Sequence, residues 1–100
     1  MPEARYLSAT DVDALTAEFF ARLGYAAPVL RGGGRALLES AVERARNCAY
    51  YERGDVIDQA AALCNGIALN HPWLDGNKRS AFIACLVFLH LNDCPLAPTA

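Results

Sequence analysis

Lysine is almost missing from this chain. Lys78 is the only one among 100 residues, and the remaining basic positions are scattered arginines. The net charge is −2. A general nucleic-acid binder carries a basic face, so this balance argues against one, while leaving room for a local basic pocket for a phosphorylated small molecule. No run of about 18 uncharged apolar residues occurs, so no helix is expected to span a membrane. Four cysteines are present, Cys48, Cys64, Cys85 and Cys94, with no C-x-x-C spacing for zinc or redox chemistry. They read as reduced thiols, with Cys64 and Cys85 in apolar helical patterns as small core residues. The opening Met-Pro-Glu-Ala-Arg-Tyr lacks the apolar centre of a signal peptide, and the expected compartment is the cytoplasm. Repeats, low-complexity tracts and long linkers are also missing, so residues 1–100 read as a single domain.

Apolar material is plentiful. Hydrophobic residues make up 54% and charged residues 20%, enough for a packed core and too apolar for a disordered chain. Ser8, with Asp11 three residues on, predicts a helix N-terminus. Val12, Leu15, Phe19 and Leu23 continue at helical spacing, and Gly24 is the expected closing residue. Pro28 and Gly32-Gly33-Gly34 make Tyr25–Gly34 a loop. A second helix is expected from Arg35 to about Asn47, with Leu37, Leu38, Ala41, Val42 and Ala45 on its apolar side. Two adjacent tyrosines and a glycine in Cys48–Asp55 suit a short β-hairpin. A third helix is expected from Val56 to about Leu69. The fourth, from Asn77 to about Leu91, is apolar nearly all round and is expected to be the buried central helix. The fold class is all-α.

Chemistry concentrates in His71–Arg79, which reads H-P-W-L-D-G-N-K-R. Pro72 and Gly76 interrupt the helix, which restarts at Asn77. N–H groups around Gly76–Ser80 then face out of a helix N-terminus, which binds anions and phosphate above all. Gly76 leaves space for a phosphate to approach the main chain. Lys78 and Arg79 add cations, and Asn77 adds an amide. Asp75 beside an anion site implies a bridging metal, for which magnesium held by a carboxylate and substrate phosphates is the usual solution. His71 is a candidate general base at neutral pH. Trp73 reads as an anchor. Together these residues point to transfer of a phosphorus group to a hydroxyl, without saying which phosphorus is attacked.

The string closely resembles the signature of the Fic/Doc family, H-P-F-x-[DE]-G-N-G-R, in its death-on-curing (Doc) branch. His71, Pro72, Asp75, Gly76, Asn77 and Arg79 match, and Trp73 replaces the phenylalanine. Leu37–Ala41 and Leu89–Asn92 extend the resemblance, which covers roughly Leu7 to Leu96. It implies a compact helical bundle with a β-hairpin flap that aligns the target, here at Tyr50, Tyr51 and Arg53. It implies His71 as base, Asp75 as magnesium ligand, and Gly76, Asn77, Lys78, Arg79 and Ser80 around the phosphates of ATP. AMP-transferring members carry glycine where Lys78 stands, and a second arginine where Phe82 stands. Doc-type members carry lysine and are understood to transfer the γ-phosphoryl group instead. The resemblance therefore implies a toxin that phosphorylates a Thr/Ser hydroxyl of a translation factor, elongation factor Tu in the known case. Its implied partner is a Phd-type antitoxin, since the self-inhibitory [ST]-x-x-x-E-[GN] motif is missing. The alternatives are an AMP transferase and a catalytically silent antitoxin-binding module. Family members continue as helix beyond this point, whereas Pro95 and Pro98 preclude a regular one here, so the family's C-terminal helix is expected to be absent or truncated.

Overall fold

Two reciprocal caps fix where the chain turns helical. Ser8 Oγ accepts from the Asp11 N–H (3.0 Å) and the Asp11 carboxylate accepts from the Ser8 N–H (2.9 Å). Asp55 and Asp58 repeat the pattern. Each satisfies two amide groups that a helix start leaves without an internal acceptor. The computed structural model describes residues 4–94 and contains four helices: α1 (Ala9–Arg22), α2 (Gly34–Glu52), α3 (Val56–Asn70) and α4 (Asn77–Leu91). The expected all-α class holds. The only β-type pairing among the described residues is a single antiparallel bridge between Leu30 and Trp73. The proline-containing tail, residues 95–100, lies outside the described residues.

The expected hairpin at Cys48–Asp55 is not formed. The second helix continues through Tyr50 and Tyr51 to Glu52, and ends on Arg53 in the left-handed region (φ 54°). The buried positions explain why. Leu38, Ala41, Ala45 and Cys48 recur at spacings that keep one face against the core, so packing overrides the strand preference of two tyrosines. Tyr50 and Tyr51 project into solvent, 78% and 75% exposed, with their rings packed edge to face.

The fourth helix carries the most buried positions, as expected, but it is not covered on every side. α3 packs along both α2 and α4, while α1 closes the far side against α4 and, more lightly, α2. The core joins Val12, Leu38, Ala41, Leu63, Ile67, Trp73, Ala84 and Phe88 in one cluster. α4 buries Ala81, Ile83, Ala84, Phe88 and Leu89, but Phe82 is 59% exposed and Leu86 and Val87 are half-buried. A chain of this size has too few neighbouring elements to cover an all-apolar helix on every side. In α1, the buried line is Val12, Thr16 and Phe20, so Phe19 and Leu23 of the expected stripe face outward. Among the described residues no helix is long and apolar enough to cross a membrane. All four cysteines are free. Burial, then the carboxylates of Glu52, Asp58 and Asp55, push the Cys48 thiol pKa up, and burial, then the adjacent Cys64, raises that of Cys85.

The helical reading of Tyr50–Glu52 is testable by paired substitutions. At exposed Tyr51, alanine should leave the protein about 0.5 kcal/mol more stable than threonine in urea denaturation, since alanine is the better helix former. A strand at this position would reverse the order.

Candidate active site

The motif loop begins where α3 runs out. Its last residue is Asn70, and His71 caps it in the left-handed region (φ 49°, ψ 60°), donating its N–H to Ile67 O (3.1 Å). Proline at the next position cannot continue the helix. The carbonyls left over at a helix end need donors. Arg31 supplies them, donating from Nε to His71 O and from Nη2 to Asn70 O (3.0 Å). The backbone of the same loop pairs with the motif: Arg31 N–H donates to Pro72 O (3.0 Å) and Leu74 N–H to Val29 O (2.9 Å). Gly34 completes this junction, because a Cβ there would lie 2.1 Å from Pro72 O.

Two side chains then lock the loop from within. Trp73 is 1% exposed, fills the core as expected of an anchor, and donates its ring N–H to Asp13 of α1 (3.1 Å). Asn77 is buried, and both ends of its amide bind one residue. Oδ1 accepts from Trp73 N–H and Nδ2 donates to Trp73 O, each at 2.9 Å. The turn between them closes through Gly76 (φ 79°), where a Cβ would approach Phe20 Cζ to 2.9 Å. Glycine is thus required twice over, for its left-handed backbone and for the space against Phe20. Gly76 is also the N-cap of α4 and offers no side-chain acceptor. The first N–H groups of α4 therefore remain available to an outside anion.

These groups open onto a cavity of about 1070 Å³. His71, Asp75, Gly76, Asn77, Lys78 and Arg79 line it together with the Tyr25–Val29 segment. Six of the seven motif residues proposed from sequence thus converge. Ser80 does not: it is fully buried in the core, with its hydroxyl unpartnered, so it is removed from the phosphate set. A helix places residue four after Gly76 a full turn inward, on the face that Ala81 and Ala84 share. Asn77 lines the cavity, but its amide is fully engaged by Trp73, so its side chain organises the loop rather than grips a ligand. Tyr50, Tyr51 and Arg53 do not line the cavity. The Tyr25–Val29 loop contributes to the lining instead.

Charge is distributed unevenly. The described ion pairs, Glu18 with Arg22, Arg35 with Glu39 and Glu43 with Arg46, all lie on exposed helix surfaces away from the cavity. Among the described residues Lys78 and Arg79 have no carboxylate partner, and the His71 ring has no hydrogen-bond partner. Asp75 is exposed and lines the cavity; one of its oxygens accepts from Gly76 N–H (2.8 Å), and the other has no hydrogen-bond partner among the described residues. No cluster of three or more metal-ligating side chains occurs among the described residues. Any divalent ion at Asp75 would need most of its oxygens from substrate phosphate and water, a coordination magnesium accepts.

Around one cavity this helical chain brings together a helix start without a side-chain cap, two cations with no carboxylate partner among the described residues, and an exposed histidine and carboxylate. Its sequence places it more closely. The pattern of the Fic/DOC family matches residues 6–89, and the chain belongs to that family. It is 45% identical over 65 residues to the protein named Toxin Doc of Mycolicibacterium smegmatis (strain ATCC 700084 / mc(2)155), covering 61% of this chain and 48% of that protein. The chain thus spans about half the length of the curated relative it matches. No solved structure matches it.

Sequence reasoning missed Arg31, Asp13 and the Tyr25–Val29 wall. Arg31 acts 40 residues away from His71, and no local spacing signals a contact at that separation. Residues that hold the loop and residues that only face the cavity should differ in their effect on stability. Asn77→Ala leaves a buried N–H and C=O of Trp73 unpaired and should cost about 2–4 kcal/mol in chemical denaturation. His71→Ala, at an exposed side chain, should change stability by less than about 0.5 kcal/mol.

Proposed function

We propose that this protein is a Doc-like toxin of a toxin–antitoxin pair that transfers the γ-phosphoryl group of ATP to a Thr or Ser hydroxyl of a translation factor of the elongation factor Tu type. The observation that carries the choice of phosphorus is Lys78. Its ammonium lines the cavity beside the α4 N-terminus with no described anionic partner, where a glycine would leave room for the bulkier α-phosphate region of a nucleotide. The relative named Toxin Doc supports the same reading, as does family membership. The action belongs in the cytoplasm, and a Phd-type antitoxin is the partner that would restrain it.

The chemistry follows from the arrangement of groups. The His71 ring, which has no hydrogen-bond partner among the described residues, takes the proton of the attacking hydroxyl. A bond forms between that oxygen and the γ-phosphorus, the bond from the γ-phosphorus to the bridging oxygen breaks, and ADP leaves. Lys78, Arg79 and the first N–H groups of α4 stabilise charge on the transferring group. Magnesium, when bound with ATP, neutralises phosphate charge, and the open oxygen of Asp75 is the protein ligand that fits it.

Incubation with magnesium, ATP and purified elongation factor Tu, followed by intact-mass measurement of the target, tests this reading. A gain of one phosphoryl group is expected, with His71→Ala slower by about 10²–10⁴-fold at unchanged melting temperature. An AMP increment would replace the kinase reading with nucleotide transfer. Lack of any increment, together with expression that leaves growth unaffected, would point to a silent binding module.

A further inference from the structure

Arginine is long and flexible, and one that must meet a phosphate has to be held at the site beforehand. A carboxylate is the common holder, but it neutralises the charge and occupies the donors. Among the described residues Arg79 has no such partner. Its guanidinium carbon instead lies 4.5 Å from the centroid of the Tyr25 ring and 5.8 Å from that of Phe20. The two rings meet edge to face, 6.3 Å apart at 64°, and form a corner around the cation. A ring face attracts a guanidinium through its quadrupole and leaves the N–H donors at the planar edge unengaged.

Both walls are themselves fixed. Phe20 is buried at the end of α1 and fills the space that Gly76 leaves vacant. Gly24 (φ 83°) turns the chain directly after α1, and Tyr25 N–H donates back to Phe20 O at 2.9 Å. That turn sets the Tyr25 ring against its neighbour while the residue remains 53% exposed and lines the cavity.

We propose that Tyr25 is a positioning residue: its ring face, with Phe20 as the second wall, holds the Arg79 guanidinium so that its charge and donors stay open to a polyphosphate in the cavity. The proposal rests on the phosphate-holding role given above to Arg79, and extends it to a residue outside the family motif. It also gives the Tyr25–Val29 segment a function that needs no contact with the reacting atoms.

The test is a double-mutant cycle read by calorimetric titration with pyrophosphate. Tyr25→Leu keeps an apolar side chain without a ring face and should weaken binding by about two- to fivefold. Tyr25→Phe and Tyr25→Trp keep the ring and should stay within about twofold of wild type. In an Arg79→Ala background, Tyr25→Leu should have no further effect. A silent Tyr25→Leu, a loss shared by Tyr25→Phe and Tyr25→Trp, a loss that persists without Arg79, or wild-type protein that binds no pyrophosphate would each overturn the proposal. Phosphoryl transfer to the target alongside a silent Tyr25→Leu overturns the clamp alone. Intact coupling between Tyr25 and Arg79 without any transfer overturns the transferase reading alone.

Discussion

The amide of Asn77 is the constraint on which the rest of the site depends. By closing two buried hydrogen bonds onto the main chain of Trp73, it fixes the turn through Gly76 and therefore the point at which α4 starts. Its position decides which N–H groups lack an internal acceptor, and so where an anion is attracted. The indole of Trp73 ties that turn to the core and to Asp13, and the Leu30 bridge ties it to the loop after α1. Removing the amide would leave polar backbone buried without partners, which is more costly than losing an exposed contact of the same kind. The loop is irregular in shape but secured on several sides.

This arrangement separates residues that hold the loop from residues that face the cavity. Arg31, Asn77, Trp73 and Gly34 spend their polar groups or their small size on the backbone of the loop. His71, Asp75, Lys78 and Arg79 present side chains to the cavity. The separation explains how a chain of net charge −2 can carry an anion site. Glu18, Glu39 and Glu43 pair with arginines along the helix surfaces, while the two cations at the α4 start have no carboxylate partner among the described residues. Their charge adds to the positive end of the helix dipole over a short range, where screening by salt is least effective.

The parts legible in the sequence were those encoded locally. Ser8 with Asp11 marked the start of α1, and Gly24 its end, because caps act over three or four residues. The motif was readable because one short stretch contains the helix break, the glycine turn and the restart. The length of α2 was not, since Tyr50 and Tyr51 favour strand in isolation and only packing of Ala45 and Cys48 against α3 keeps them helical. The orientation of Ser80 depended on the exact phase of α4, which a list of phosphate-friendly residue types does not contain. Arg31 and Tyr25 became visible only in three dimensions, because each meets the motif across dozens of intervening residues.

On the proposed reading, Lys78 and the lack of an arginine at Phe82 set phosphoryl apart from nucleotidyl transfer, so the decisive quantity is which phosphorus sits over the first turn of α4. A crystal structure of the protein with magnesium and a non-hydrolysable ATP analogue measures this directly. The account predicts the terminal phosphate at the N–H groups of that first turn and beside Lys78, with the metal on Asp75. An α-phosphate in that position, with the terminal phosphates directed away, would contradict it.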